Sequence, residues 1–556
     1  MRLITRSITA ALISCAFSTS WAANTITPQN GNWIISDELN GKPGRGMGID
    51  VQDGIFVMQV YNYNPNGSAT FHLATGTVDN NKVVAALKQY KDGPSFGSGA
   101  KNGVEVANAG NVEVEFTSRT TATITFPGEA TKVMQRFNYE GTPEEAWSDP
   151  EYTERWAMVE FDNDNKPVAT YWTDIGLGSQ LALSPDMHNG WPYADSKNFT
   201  VHRFDQAGDK KYAFLECAYT GADHYFACAG QETNIIAGAI TQQPTTIRMQ
   251  RSLDQLKGVV STGKAGVTRQ ILGMRVEKTG YKKVDNKIVV NTYFRRNSLP
   301  EAGTWIVSTE LTGKAGRGIS LDVQKPSSAL HTLFMPIYNY AKNGDAAFHL
   351  GFAVHSPSVI PKPETPYIPL TSYKGGRYFS GPAQDAQVDQ YVGQSTVSFA
   401  STATGTVQFP DEEQLLIQRY YFGVNQERIN SLIGTWALVP HGGMLKTRIL
   451  NFELLDSGVV RDKENGYTCV MNYWLSFRFV CDPDSLSADK PRIRIATGFY
   501  GPSRAIMGDG GSLVDSTPEL TVMRITEPNG DLVHAGPLYP KPASGGDTVT
   551  DSGTTP

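Results

Sequence analysis

The stretch GKPGRGMGIDVQ at residues 41–52 returns as GKAGRGISLDVQ at 313–324. The match starts upstream, where GNWIISDELN (31–40) answers GTWIVSTELT (303–312). It continues through YNYNPNGSATFHL (61–73) and YNYAKNGDAAFHL (338–350), then TATITFPGE (121–129) and TGTVQFPDE (404–412), and ends on VMQRF (133–137) and LIQRY (416–420). Such a chain must build one unit twice, and a repeat fixes the fold more tightly than any single motif.

The repeated unit has the period of β-structure. Met47, Ile49 and Val51 alternate with Gly48, Asp50 and Gln52, as Ile319, Leu321 and Val323 do with Ser320, Asp322 and Gln324. Asn66-Gly67 and Asn343-Gly344 each sit between two β-like runs, the strongest short-range hairpin signal. Fainter kinship links the segments that follow: ERWAMVEF (154–161) and ILGMRVEKTG (271–280) after the first copy, GTWALV (434–439) and LTVMRITEP (520–528) after the second. The expected fold class is therefore all-β: tandem antiparallel meander modules, barrels or sandwiches, in an A-B-A′-B′ duplication. The boundaries read as a leader at 1–22, A at 23–140, B at 141–300, A′ at 301–423, B′ at 424–538 and a polar, disordered tail at 539–556.

Residues 1–22 carry Arg2 and Arg6, an apolar run from Ile8 to Phe17 and a Ser20-Trp21-Ala22 cleavage pattern, which together read as a secretory signal peptide. Leu12-Ile13-Ser14-Cys15 offers the alternative of a lipobox with a lipid anchor on Cys15. No later run is apolar for long enough to make a membrane helix. The expected location is periplasmic or extracellular. Loss of Arg2 and Arg6 takes the formal net charge from −6 to −8 with no basic block, which argues against nucleic acid as a partner.

Four cysteines remain, in two local pairs, Cys217 with Cys228 and Cys469 with Cys481. Each pair brackets an apparent hairpin, so pairing within hairpins closes the shortest loops. The spacings are too wide and too aromatic for a zinc cluster, and an oxidising compartment favours disulfides. The histidines form neither HExxH nor His-x-His, and DNDNKP (162–167) lacks the glycine and distal glutamate of a calcium loop, so neither a metal nor another cofactor is expected.

Over most of their length both A copies resemble the repeats of exported proteobacterial proteins in which a Trp-bearing strand leads to a GRG turn, an alternating strand and a Tyr-x-Tyr hairpin. Tyr63, Gly67 and Phe71, and Tyr340, Gly344 and Phe348, hold the matching places. The chain departs from that pattern in His72 and His349, where an aromatic is expected. The resemblance implies a β fold and export, and no activity. A more local resemblance is to lipocalins and related calycin barrels, whose first-strand Gly-x-Trp is covered by an arginine from a late strand. It implies structural roles for Trp33 with Arg136 and Trp305 with Arg419.

Arg45 and Arg317 lie between glycines, but no Gly-Lys-Ser/Thr and helix follow, so a phosphate loop is not indicated. The glycines suit a tight strand connection, and each arginine is expected to meet a carboxylate such as Glu38 or Glu310, or a ligand. His72 and His349 are expected to share a face with Asp50 and Asp322, and these four with Arg45 and Arg317 are the candidate ligand-binding set. No serine or cysteine is read as a nucleophile in a strand-to-helix elbow, so no catalytic residue is assigned. The expected function is non-enzymatic binding of a small apolar molecule, a glycan or an envelope protein. The alternatives are a secreted hydrolase with scattered catalytic residues and a structural or adhesive envelope component.

Overall fold

A computed structural model of the chain describes residues 25–540 apart from 141–152, 178–198, 205–209, 221–223, 237–238, 264–265, 277–280, 285–286, 291–299, 328–329, 356–366, 400–401, 424–428, 441–446, 457, 472–478, 488–489, 496–502 and 508–518. The leader, Cys15 and residues 541–556 of the expected tail lie outside the described residues. The described strands form four closed barrels, each of eight antiparallel strands in sequence order, with a small two-stranded sheet (Tyr281–Val284 and Lys287–Val290) after the second. Barrel A runs from Gly31–Ile35 to Lys132–Arg136, B from Thr153–Phe161 to Val267–Val276, A′ from Gly303–Val307 to Gln414–Arg419, and B′ from Gly434–Pro440 to Glu519–Arg524. Closure decides between barrel and sandwich, and it removes strand edges from each module.

Alternation fills the interiors. In A, Met47, Ile49, Phe56, Met58 and Val60 join Trp33, Val112, Val114, Phe116 and Phe126 in one buried cluster, and A′ repeats it around Trp305. The outward faces are less ordinary. All seven residues of Gly46–Gln52 are buried, because the outer face of this strand packs on the other A-type barrel. B and B′ pair likewise through Val159, Phe161, Leu272 and Met274 against Val439, Met523 and Ile525. Cys217 and Cys228 face each other across one hairpin of B, and Cys469 and Cys481 across one of B′; both form the disulfides expected from their spacing. The strap after B′ docks on its neighbours: Pro537 O and Ala535 O accept from the Arg119 and Thr27 amides of A, and Tyr539, assigned above to the tail, donates to Arg251 O of B.

Every barrel closes in the same way. The first-strand tryptophan lies directly opposite an arginine of the last strand: Trp33 and Arg136, Trp156 and Arg275, Trp305 and Arg419, Trp436 and Arg524. Each indole N–H whose bond is resolved donates to a carbonyl four residues earlier, from Trp33 to Gln29 at 3.0 Å, Trp305 to Glu301 at 2.9 Å and Trp436 to Leu432 at 2.8 Å. The guanidiniums are buried, and a buried charge without a partner costs several kcal/mol. In B the partner is Glu140 of the A–B connection, 2.7 Å from Arg275, and in B′ it is Glu527, 3.5 Å from Arg524.

In A and A′ the counter-charge is exchanged. Arg419 of A′ holds Asp50 of A through two bonds of 2.6 and 2.9 Å, and Arg136 of A holds Asp322 of A′ at 2.6 Å. Burial alone would lower the Arg419 pKa, but Asp50 and Glu301 outweigh it and raise the value. Burial outweighs Arg136 at Asp322 and lifts that carboxyl above its usual range. The glycine of each Gly-x-Trp makes room for the pair. Gly303 has φ +129°, and a Cβ there would lie 2.5 Å from Arg419 Nη2 and 2.7 Å from Asp50 Oδ2. Gly31 stands in the same relation to Arg136 and Asp322.

This predicts unequal costs for two glycines with positive φ. Gly303→Ala combines backbone strain with a clash against a fixed ion pair and should cost about 3 kcal/mol or more. Gly313→Ala (φ +76°, nothing within 4 Å) should cost only about 1–2 kcal/mol. Urea unfolding of the two variants measures the difference, and equal costs would remove the ion pair as the reason for the glycine.

Candidate functional site

The GRG turn, the 64–67 turn and the 126–131 turn gather at one end of barrel A, opposite the end where Trp33 meets Phe116 edge-on at 6.0 Å. Arg45 fastens this mouth. Its Nε and Nη2 donate to Glu38 at 2.9 and 2.8 Å, its Nη1 and Nη2 donate to Glu129 at 2.6 Å each, and its guanidinium stands 5.0 Å from the Phe126 ring centre. Arg317 repeats the arrangement with Glu310, Glu412 and Phe409. Fork-shaped donors matched to two carboxylates explain why arginine recurs here. The expected carboxylates Glu38 and Glu310 are in place, and the structure sets both arginines in the mouth walls.

Each mouth is capped by the other barrel. Residues 375–386 of A′ cross barrel A and insert Phe379, whose ring centre lies 4.9 Å from His72 and 4.8 Å from Phe126. Residues 92–103 of A cap A′ with Phe96, 5.0 Å from His349 and 5.3 Å from Phe409. Close approach needs glycine at the start of each cap: Gly376 lies under the Tyr63 ring and Gly93 under that of Tyr340, and a Cβ would collide with either.

Below each cap is a polar cluster inside the barrel. His72 pairs in register with Val60, and Asn62 with Thr70; since Val60 faces the interior, so do His72 and Asn62. His349 opposite Ile337, and Asn339 opposite Ala347, do the same in A′. All four are at least nine-tenths buried. Nδ1 of each histidine and both amide atoms of each asparagine have no hydrogen-bond partner among the described residues. Burial lowers both histidine pKa values to about 4, so both rings are neutral at pH 7.

The expected shared face of Asp50 and His72 is therefore corrected. Asp50 and Asp322 lie on outer faces between the barrels, held by the closing arginines, while His72 and His349 look inward. Alternation distinguishes two faces of a strand but not which face of a neighbouring strand continues which. Asn62, Asn339, Phe96 and Phe379 were not singled out from sequence. The signal was present: YNY stands in both copies, and DGPSFG (92–97) and GGRYFS (375–380) share Gly and Phe in the same places. Among the described residues no three metal-ligating side chains gather, and no helix is long and apolar enough to cross a membrane.

The neutral histidines predict an acid limb of stability. Their folded pKa of about 4 lies below the unfolded value of about 6.5, so the unfolded chain takes up protons first as pH falls. Their contribution is intact above about pH 6.5, is lost progressively down to about pH 4, and amounts to about 3 kcal/mol per histidine. Urea unfolding of His72→Leu/His349→Leu from pH 7 to 4 should show a flatter decline than the parent. Parallel declines would mean that the rings are protonated in the fold.

No protein family, curated protein or solved structure matches the chain.

Proposed function

We propose that the chain is an exported, non-enzymatic binding protein whose A-type barrels hold a small uncharged molecule at the capped mouths. The observation that carries this reading is the buried, unpartnered set of Asn62 and His72 atoms, repeated by Asn339 and His349. Leaving such atoms unpaired costs about 1–3 kcal/mol each, and a molecule that pairs with them recovers that energy. The amide supplies both donor and acceptor, the imidazole is neutral, and Phe126 with Phe379 or Phe409 with Phe96 supplies ring faces. Hydroxyl or amide groups beside an apolar face, as in the terminal residue of a glycan, fit that mixture. Arg45 and Arg317 are already neutralised by two glutamates each, so an anion gains little. The sheet separates His72 from Asp50 and His349 from Asp322, which argues against an activated nucleophile. Two disulfides support an oxidising, periplasmic or extracellular setting.

A second reading, a structural envelope component, is favoured by one specific fact: Asp50, Asp322, Arg45 and Arg317 all serve contacts that hold modules or mouths together. Saturation-transfer NMR with glucose, galactose and N-acetylglucosamine separates the two. Binding of at least one sugar, lost in Asn62→Leu/Asn339→Leu while the variant keeps its melting temperature, is the expected result. No binding by any of them, or binding unchanged in the variant, favours the structural reading.

A further inference from the structure

The two mouths are built from the same residues but are not closed with equal force. The cap over A is tied along its length. Arg377 reaches Glu38 at 3.1 Å and Glu129 at 3.3 Å, and the Ser380 amide and hydroxyl donate to Glu129 and to Pro127 O. Asp385 accepts from Asn40 and Lys42, and the Gly375 and Ala386 amides donate to Gly67 O and Pro43 O at the two ends.

The cap over A′ has Pro94 where Arg377 stands in the other, so the guanidinium link to the mouth carboxylates is missing. Its ends are held, by the Asp92 amide on Gly344 O and the Gly103 amide on Ala315 O. Between them the described bonds to A′ are the Gly97 amide on Glu412 and an exposed link from Thr312 to Asn102. Residues 97–102 are exposed throughout, Gly97 and Gly99 both adopt φ +74°, and a Cβ on Gly99 would meet nothing within 4 Å. A segment with exposed backbone, several glycines and few anchors opens at lower free energy than one clamped by charge-assisted bonds.

We propose that the A′ mouth is the working site, with residues 92–103 as its lid, and that it takes an uncharged hydroxyl- or amide-bearing group onto Asn339 and His349, while Arg377 keeps the A mouth shut. This rests on the binding function proposed above and adds which mouth is used and what admits the ligand. The two caps cross between A and A′, so a lid carried by A controls a site inside A′.

Diethyl pyrocarbonate, which modifies neutral imidazoles, tests the lid without any ligand. The full chain is treated at pH 7 and the modification of each histidine-bearing peptide is followed by mass spectrometry. His349 should react about tenfold or more faster than His72, the loss of two charge-assisted bonds being enough for that ratio. Pro94→Arg should slow His349, and Arg377→Ala should speed His72 towards the rate of His349. Equal rates, a faster His72, or modification of both only at the rate of global unfolding overturns the proposal. The outcome is separable from that of the sugar test. A reactive His349 with no sugar bound leaves the lid and removes the function, whereas sugar binding with equal histidine rates leaves the function and removes the lid.

Discussion

Two buried ion pairs, Arg419 with Asp50 and Arg136 with Asp322, decide how this chain is put together. All four barrels close by setting an arginine of the last strand opposite a tryptophan of the first, and each such arginine is a charge in a dry place. B and B′ answer it from their own connecting segments, with Glu140 and Glu527. In A and A′ the main answer comes from the other barrel, with Glu301 of A′ only a longer contact, 3.6 Å from Arg419. Either barrel alone would keep a guanidinium with its main carboxylate removed, a state several kcal/mol worse than the pair. The glycine of Gly-x-Trp follows from the same requirement, because the crossing pair occupies the space of its missing side chain.

Once the pair is set, other contacts repeat around it. Gln52 bonds Tyr420 O and the Phe422 amide of A′, and Gln324 bonds Phe137 O and the Tyr139 amide of A. Tyr61 and Tyr63 pack on Phe348 while Phe71 packs on Tyr338 and Tyr340, edge to face in most cases. The caps complete the exchange by placing a phenylalanine of each barrel in the mouth of the other. The site is thus a product of the pairing, and its two copies diverge where pairing tolerates change, as at Arg377 and Pro94.

The repeat, the strand period and the two disulfide hairpins were legible because each is a local pattern: alternation of Met47, Ile49 and Val51, Asn-Gly turns, and cysteines that face each other across neighbouring strands. The carboxylates Glu38 and Glu310 were legible as partners of Arg45 and Arg317 because they lie seven residues away, across one turn. The roles of Asp50 and Asp322 were not. Alternation marks them as polar against an apolar face, and solvent, a ligand or another barrel would produce the same pattern. The caps were hidden for a related reason, since a phenylalanine in a glycine-rich loop acquires meaning only when the other barrel's mouth is seen beneath it. His72 and His349 drew notice as departures from an aromatic position, but their inward direction came from the register with Val60 and Ile337.

The central claim is that A and A′ form one structural unit although barrel B lies between them in sequence. Hydrogen–deuterium exchange of Asp50→Ala, read by mass spectrometry, tests it most directly, because the substitution is in A and the stranded charge is in A′. The account predicts that protection falls in Gly303–Val307 and Gln414–Arg419 of A′ together with Gly46–Gln52 of A. Loss of protection confined to barrel A, with the strands of A′ unchanged, would contradict it.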